Sequence, residues 1–246
     1  MDWKNNFPKE NIYYETENGI LYCGDSIEIM KKFSKESIDF IFSDYPFNCQ
    51  DNRKDYVKFI SDLSVEYFRL LKTNSVLLII NNPINIWKSK HAYDSFTHRD
   101  SIALIRKGAL RPAWRFGFQH NYLMTFVKGN DVRAKWNGTK KNHDKTFLTD
   151  VINYQNGYRG KGKDFHPQAV PLGLTKQMTS IFSDESDIVL DPFMGSGTTA
   201  IACEQINRKW IGIELKEKYC EMIVRRLEKY FDNKKAEVLQ YETTDD

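Results

Sequence analysis

The stretch between residues 188 and 214 restricts the possible folds more than any other part of the chain. An apolar run at residues 188–190 is followed by a glycine-rich loop, and this loop leads into a helix of small residues. A second apolar run, at residues 210–214, ends in the carboxylate of Glu214. A strand, a helix and a second strand in this order predict a βαβ unit, in which helices cover a parallel sheet.

The rest of the chain repeats this alternation. Apolar runs at residues 20–23, 38–42, 75–80 and 122–127 are typical of strands, and apolar residues at helical spacing follow several of them. The continuous run at 75–80 favours a strand that is buried on both faces. We therefore predict an α/β protein with a doubly wound, mostly parallel sheet. Residues 1–18 are expected to form an arm, and residues 84–118 to be helical or irregular.

Composition excludes several classes of protein. The 246 residues suffice for one large α/β domain or two small ones, and 41% hydrophobic with 28% charged residues is ordinary for a globular protein. No apolar run approaches the length of a membrane span, and the polar N-terminus does not resemble a signal peptide, so a cytoplasmic location is expected. The four cysteines have no metal-binding spacing, and no metal site is predicted.

The glycine-rich loop, Gly195-Ser196-Gly197-Thr198-Thr199-Ala200, has the pattern G-x-G-x-x-A. Glycine lets the backbone approach a ligand closely, and the following helix offers unpaired N–H groups. Glu214 ends the next strand, where a carboxylate accepts hydrogen bonds from ribose hydroxyls. A glycine-eased turn is the better explanation of the bare pattern, but the strand, the helix and Glu214 together favour a nucleoside-containing cofactor. The six residues alone do not separate a dinucleotide from S-adenosylmethionine.

Two features favour S-adenosylmethionine. Too few residues follow position 188 to complete both halves of a dinucleotide-binding domain. The longer string Asp191-Pro192-Phe193-Met194-Gly195-Ser196-Gly197-Thr198-Thr199 resembles the cofactor motif of amino-group DNA methyltransferases.

A second motif, Asp44-Tyr45-Pro46-Phe47, follows the strand at residues 38–42. It is similar to the catalytic D-P-P-Y motif of the same enzymes, although a simple β-turn would explain the tetrapeptide alone. The segment His166-Pro167-Gln168-Ala169-Val170-Pro171 is similar to their H-P-T-x-K-P motif. The order of the motifs resembles that of the β class, the N6-adenine and N4-cytosine family, over about residues 20–231. The chain departs from the usual motifs at Tyr45, Phe47 and Val170, and no role is assigned to Val170.

The resemblance implies a Rossmann-like fold and methyl transfer from S-adenosylmethionine to an amino group of a base flipped out of double-stranded DNA. The Asp44 side chain and the Tyr45 carbonyl would accept the amino protons, Pro46 would stiffen the loop, and Phe47 would stack on the base. Glu214 would bind the ribose and Asp25 the adenine amino group of the cofactor. The methionine end would be surrounded by Asp191, Phe193, Gly195, Ser196, Gly197 and Thr198.

The stretch from residue 128 to 163 carries nine basic residues against three aspartates. Its basic residues are Lys128, Arg133, Lys135, Lys140, Lys141, Lys145, Arg159, Lys161 and Lys163, interleaved with four aromatic residues. Such a composition favours an inserted target-recognition segment that contacts DNA phosphates, with a solvated loop as the alternative. The predicted division is a catalytic-motif half at 1–128, the recognition segment at 129–165, a cofactor-binding half at 166–233, and a flexible tail at 234–246.

The residue type at position 44 indicates which base is the target. In the family that the chain resembles, an aspartate at this position goes mostly with adenine N6, so adenine is expected and cytosine N4 is the alternative. The competing hypotheses are an NAD-dependent oxidoreductase, which rests on the glycine-rich loop alone, and an inactive DNA-binding module. The expected partners are double-stranded DNA and a cognate restriction endonuclease, with the chain acting as a monomer or homodimer.

Overall fold

A computed structural model describes residues 2–46, 56–89, 91–110, 118–131, 135–137, 149–154, 166 and 169–242. Its strands are β1 Ile12–Glu15, β2 Gly19–Cys23, β3 Ile38–Ser43, β4 Leu71–Asn81, β5 Thr97–Leu110, β6 Phe118–Val127, β7 Val151–Tyr154, β8 Ile188–Asp191 and β9 Lys209–Glu214. Its α-helices are α1 Ser26–Met30, α2 Tyr56–Leu70, α3 Pro83–Ser89, α4 Leu172–Phe182, α5 Thr198–Gln205 and α6 Glu217–Glu242. No helix in these ranges is both long enough and apolar enough to cross a membrane.

The described strands form one sheet in the order β1-β2-β9-β8-β3-β4-β6-β5-β7. The five strands from β2 to β4 in this order are parallel, and β5 and β7 are parallel to each other. β1 and β6 are antiparallel to their neighbours. The predicted doubly wound, mostly parallel sheet is confirmed, and the fold is Rossmann-like.

Helices cover both faces of the central strands, which explains their continuous apolar runs. All six residues of β3 are buried. Ile41 belongs to the hydrophobic cluster that contains residues of α1 and α2, whereas the adjacent Phe40 belongs to the cluster with residues of α4, α5 and α6. Successive side chains of the strand therefore enter opposite cores, as the period of a strand requires.

Two expectations about secondary structure were wrong. Residues 12–15 form β1 and pair with β2 instead of standing apart as an arm. Residues 97–110 form β5, which was expected to be helical or irregular. Within the part of β5 whose side chains the structure describes, Leu104 is buried while Ser101 is exposed, so the strand gives little apolar signal. The strand forms because it pairs with β6, and the sequence pattern does not indicate this pairing.

The predicted division into segments stays a prediction. Within 129–165 the structure describes β7, which pairs with β5 at the edge of the main sheet. Helix α6 runs to Glu242, past residue 233, where the sequence placed the beginning of a tail.

The winding of the sheet reverses between β8 and β3. From β8 the chain passes through α5 to β9 on one side, and from β3 it passes through α2 to β4 on the other. The register pairs Phe40 with Val189 and Ile41 with Leu190, so the carboxyl ends of both strands lie at the same edge. Ligands of open α/β sheets bind in the crevice that such a reversal leaves.

Candidate active site

A cavity of about 460 Å³ lies at this crevice. Its walls bring together both predicted motifs, which are far apart in the chain. The sequence-predicted residues that line it are Asp25, Asp44, Pro46, Asp191, Phe193, Gly195, Ser196, Thr198 and Glu214. Two predicted residues, Tyr45 and Gly197, are not among the lining residues, and Phe47 lies outside the described residues.

Carboxylates at the ends of β8 and β9 hold the glycine-rich loop in shape. Asp191 accepts hydrogen bonds from the Thr199 hydroxyl at 2.5 Å and from the Phe193 backbone N–H at 3.0 Å. Glu214 accepts a hydrogen bond from the Gly195 N–H at 2.9 Å and, on its other oxygen, one from the Lys216 N–H at 2.9 Å. The loop is therefore fixed by contacts within the protein.

The two glycines of the loop serve different purposes. Gly195 lines the cavity with φ +53°, and an added Cβ would lie 3.1 Å from His166 Nε2. Gly197 has φ +76° at the N-terminus of α5, and an added Cβ would lie 3.0 Å from the Ile223 side chain of α6. Gly197 thus lets the loop turn and pack against α6 instead of facing the cavity.

Asp44 comes directly after β3 and lines the cavity. The residue is half-buried, and no described residue donates a hydrogen bond to its carboxylate. Burial, and next the nearby charge of Asp191, raise the pKa of Asp44 to about 7. Burial also raises the pKa of Asp191 to about 7, against the hydrogen bonds from Thr199 and Phe193, which lower it.

The Tyr45 side chain points into the core and is 1% exposed. Its hydroxyl accepts hydrogen bonds from Asn81 Nδ2 at 2.7 Å and from the Tyr93 hydroxyl at 3.3 Å. Its ring meets the Phe193 ring edge-on at 6.4 Å. Burial raises the pKa of the Tyr45 phenol well above its ordinary value. The side chain is therefore a structural group, and only the backbone of this residue remains for a substrate.

Asp25 caps helix α1 at the opposite wall. One of its carboxylate oxygens accepts hydrogen bonds from the N–H groups of Ile27 at 2.9 Å and Glu28 at 3.2 Å. The adjacent Ser26 hydroxyl donates to the Pro192 carbonyl at 2.5 Å. This contact ties the loop after β2 to the loop after β8, so two walls of the cavity are joined.

Several cavity residues were missed by the sequence reasoning. They are Ser26, Phe42, Phe59, Pro192, Met194, Thr199, Leu215, Lys216 and Tyr219. Phe59 has the spacing of a core residue of α2, so its sequence position gives no sign that its ring reaches the cavity. His166, which the family motif pointed to, lines the cavity and contacts the Tyr219 ring edge-on at 4.9 Å. Burial, followed by the charge of Arg226, lowers the pKa of His166.

Two lysines of the basic stretch 128–163 have carboxylate partners within the protein. Lys128 donates hydrogen bonds to the Leu71 carbonyl at 2.7 Å and to Glu36 at 3.1 Å. Lys135 forms ion pairs with Asp187 at 2.9 Å and Asp184 at 3.3 Å. Each of these cations is therefore already balanced by a carboxylate of the protein, which does not support its assignment to a DNA phosphate. The other seven basic residues of the stretch lie outside the described residues.

Known proteins resemble this chain over most of its length. The N6/N4 methyltransferase family, described as DNA methylase, matches residues 38–225. The Type II methyltransferase M.BamHI of Bacillus amyloliquefaciens is 30% identical, over 91% of this chain and 60% of the relative's own length. The DNA adenine methyltransferase YhdJ of Escherichia coli (strain K12) is 28% identical, over 89% of this chain and 86% of the relative.

Solved structures support the same assignment. The complex of M1.HpyAVI with SAM has a TM-score of 0.64 and 28% identity, covering 84% of this chain and 98% of that one. The PvuII DNA methyltransferase (cytosine-N4-specific) shares the fold, with a TM-score of 0.75 and 20% identity over 88% of each chain. S-adenosylmethionine is the cofactor of this family. The match of the family model across both motifs, together with the cavity that joins them, shows that this chain belongs to the N6/N4 family of amino-group DNA methyltransferases.

Proposed function

We propose that the chain methylates the N6 amino group of an adenine that has been flipped out of double-stranded DNA, with Asp44 as the group that receives the amine. The observation that carries the proposal is the Asp44 carboxylate, which faces the cavity and accepts no hydrogen bond from a described residue. A half-buried carboxylate that lines a cavity and has no donor among the described residues keeps its acceptor positions for a ligand.

The cavity fits the cofactor of the family. Its volume of about 460 Å³ lies in the range of small-molecule sites. Both Glu214 oxygens accept a backbone N–H, but a carboxylate has about four acceptor positions, so Glu214 can also bind the ribose hydroxyls. We assign the adenine amino group to Asp25, and the methionine end to Asp191, Phe193, Gly195, Ser196 and Thr198. When bound, S-adenosylmethionine supplies an electrophilic methyl group on a sulfonium centre.

Asp44 and the Tyr45 carbonyl orient the nucleophile. The lone pair of an exocyclic amine is delocalised into the ring, which makes the nitrogen a poor nucleophile. Two acceptors that bind both amino protons direct the lone pair and stabilise the positive charge that develops on nitrogen. Asp44 is half-buried, and the protein around it lowers the local dielectric, so its negative charge acts more strongly there than in bulk water. Pro46 stiffens the loop beside them, and we assign stacking on the base to Phe47.

We propose adenine instead of cytosine as the target base because position 44 is an aspartate. In the family an aspartate at the first position of the tetrapeptide goes mostly with adenine, and YhdJ, at 28% identity, is named an adenine methyltransferase. Digestion of the methylated DNA to nucleosides, followed by mass spectrometry, tests this. N6-methyladenine is the expected product, and N4-methylcytosine as the sole new nucleoside would contradict the proposal.

The same assay separates the competing hypotheses. An NAD-dependent oxidoreductase leaves Asp44 unexplained, and the family match spans both motifs instead of the glycine-rich loop alone. An inactive DNA-binding module would incorporate no methyl groups into mixed-sequence DNA, whereas we expect incorporation.

We assign DNA recognition to residues 129–165, through the basic residues other than Lys135. Changing both Lys140 and Lys141 to alanine should lower the salt dependence of DNA binding by about one unit of slope for each lost phosphate contact. Lys135→Ala is the matched control, because its partners are Asp184 and Asp187, and its slope should equal that of the wild type. An unchanged slope in the double variant would remove these two lysines from the DNA surface.

We also propose a restriction endonuclease as a partner, because M.BamHI is named a Type II methyltransferase. The chain is expected to act as a monomer or homodimer, which sedimentation with and without DNA measures.

A further inference from the structure

We propose that the Tyr45 side chain anchors the catalytic loop, and that Asn81 is a positioning residue for methyl transfer through its hydrogen bond to the Tyr45 hydroxyl. The inference rests on the proposed function, because it takes Asp44 and the Tyr45 carbonyl as the groups that bind the target amine. It gives the unusual tyrosine of the tetrapeptide a role that its family motif, with proline there, does not contain.

The parallel pairing of β3 and β4 brings the two residues together. Ser43 of β3 is paired with Ile79 of β4, and Tyr45 and Asn81 each lie two residues further along. Asn81 is fully buried. Its Nδ2 donates to the Tyr45 hydroxyl at 2.7 Å, and its Oδ1 accepts from the Asn82 N–H at 2.8 Å. Both ends of the amide are therefore occupied, which fixes its orientation.

The anchor extends into rigid parts of the molecule. Asn82 in turn accepts a hydrogen bond from the Asn85 N–H at 2.9 Å, at the beginning of helix α3. On the other side of the phenol, the Tyr93 hydroxyl donates to Tyr45, and the Tyr93 ring stacks on Phe126 with centroids 5.0 Å apart. The Tyr45 side chain is thus attached to the end of β4 and to the core.

This attachment controls the backbone of the loop. Residues 44–46 have no regular secondary structure, so no ladder of hydrogen bonds fixes the direction of the Tyr45 carbonyl. The side chain and the carbonyl of Tyr45 belong to one residue, and Asp44 is the residue directly before it. Holding the phenol therefore holds both acceptors, and a displacement of about 1 Å at such groups can cost about 100-fold in rate.

A purely structural role would not need the hydroxyl. A phenylalanine ring would fill nearly the same space, while a buried phenol must find partners for its polar atom. The network stabilises the fold in either case, so stability alone cannot separate the two roles. The turnover number, compared with the binding constants, separates them.

The test is Tyr45→Phe, with Tyr22→Phe as its matched control. Tyr22 is another fully buried tyrosine, and its hydroxyl donates to the Pro8 carbonyl at 2.8 Å. Tyr22 does not line the cavity. We expect Tyr45→Phe to lower kcat about 10-fold while the Kd for S-adenosylmethionine stays within about 2-fold, because the hydroxyl orients the loop and does not hold the cofactor. Tyr22→Phe should leave both constants within about 2-fold. Equal kcat in the two folded variants would overturn the inference.

A double-mutant cycle tests the role of Asn81. Asn81→Leu removes the donor at similar volume, and the double variant with Tyr45→Phe should lose no more activity than the more damaged single variant. Losses that multiply would show that the two residues act independently, which contradicts the inference. If Asn81→Leu does not fold, as judged by circular dichroism, the comparison of Tyr45→Phe with Tyr22→Phe decides alone.

Asp44→Ala is measured beside these variants. Full activity in Asp44→Ala would contradict the proposed function itself. An inactive Asp44→Ala together with a fully active Tyr45→Phe would overturn only the anchoring role.

Discussion

The neighbouring strands β3 and β8 each have an aspartate at the carboxyl end: Asp44 directly follows β3, and Asp191 is the last residue of β8. Burial raises the pKa of both Asp44 and Asp191 to about 7. Their hydrogen bonds differ. Both Asp191 oxygens accept donors from the protein, the Thr199 hydroxyl and the Phe193 N–H. Asp44 accepts none from any described residue and faces the cavity.

This difference shows that position in the sheet does not assign the role of a carboxylate. Asp191 uses its acceptor capacity to hold the glycine-rich loop in the shape that a cofactor needs. Asp44 is half-buried and keeps its acceptor positions open to the cavity, where the proposed function places the substrate amine. We propose that the supply of donors around each carboxylate separates a structural group from a reacting one, and four experiments test this distinction.

The largest effect is expected for Asp44→Ala. Loss of the acceptor should lower kcat by about 1,000-fold, because the interaction acts on charge that develops in the transition state. The Kd for S-adenosylmethionine should stay within about 2-fold, since the glycine-rich loop keeps its own hydrogen bonds. Tritium incorporation and calorimetry measure the two quantities. Turnover near the wild-type value would place the reacting carboxylate elsewhere.

Thr199→Val should affect the other loop. The substitution removes the 2.5 Å donor to Asp191 at similar volume and leaves a buried oxygen unpaired. We expect a loss of about 1–3 kcal/mol of unfolding free energy and weaker binding of S-adenosylmethionine. Thr175→Val is the control, because Thr175 is also a buried threonine, bonded to the Pro171 carbonyl at 3.2 Å. Unchanged cofactor affinity in Thr199→Val would show that Asp191 does not shape the site.

The dependence of kcat on pH should report Asp44. The carboxylate must be ionised to receive the amine, and its pKa is about 7, so activity is lost as the pH falls through 7. Between pH 6 and pH 8, kcat at saturating substrates should rise about 10-fold and then level off. A flat profile across this range would contradict a raised pKa for the reacting group.

The smallest effect concerns stability, and the two aspartates should respond by different amounts. The pKa of Asp44 is raised from its ordinary value of 3.8, so the folded state holds the proton more tightly and stability falls as the pH rises from 3.8 to about 7. Asp44→Asn removes this loss, and the Tm at pH 8 should rise by about 2 °C or more. The gain should disappear below pH 3.8.

Asp191→Asn is the counterpart in the same melting experiment. Asp191→Asn removes the same pH-linked loss, but its amide keeps only one acceptor oxygen and turns an N–H₂ group toward one of the two donors, from Thr199 or Phe193, so the Tm at pH 8 should rise less than in Asp44→Asn. Equal changes in the two variants would remove the distinction between the carboxylates.

The sequence predicted the central sheet and most of the cavity because local signals are strong there. The strands β3, β4, β8 and β9 are continuous apolar runs, and the motifs stand at their carboxyl ends. Asp44, Asp191 and Glu214 could therefore be named in advance. The strand β5 could not, since Leu104 is the only buried residue in its described part at 97–105, and its place in the sheet comes from pairing with β6.

Other properties of the site depend on contacts between distant residues. Gly197 matched a ligand-binding pattern, yet the Ile223 side chain on a later helix occupies the space beside it. Lys135 counted toward a basic segment, but its charge is balanced by Asp184 and Asp187, far along the chain. The role of the Tyr45 hydroxyl likewise requires Asn81, which no local pattern connects to it.

The order of the strands also has a consequence for how the protein is made. β8 and β9 lie between β2 and β3, although the ribosome produces them later than both neighbours. The Ile188 N–H donates to Asp39, a residue 149 positions earlier, where the late strand joins the earlier one. The two strands that fill the space between β2 and β3 therefore leave the ribosome only in the final quarter of synthesis. The cavity, whose lining includes residues of β8, β9 and the loops after β2 and β3, can be complete only once both strands are in place.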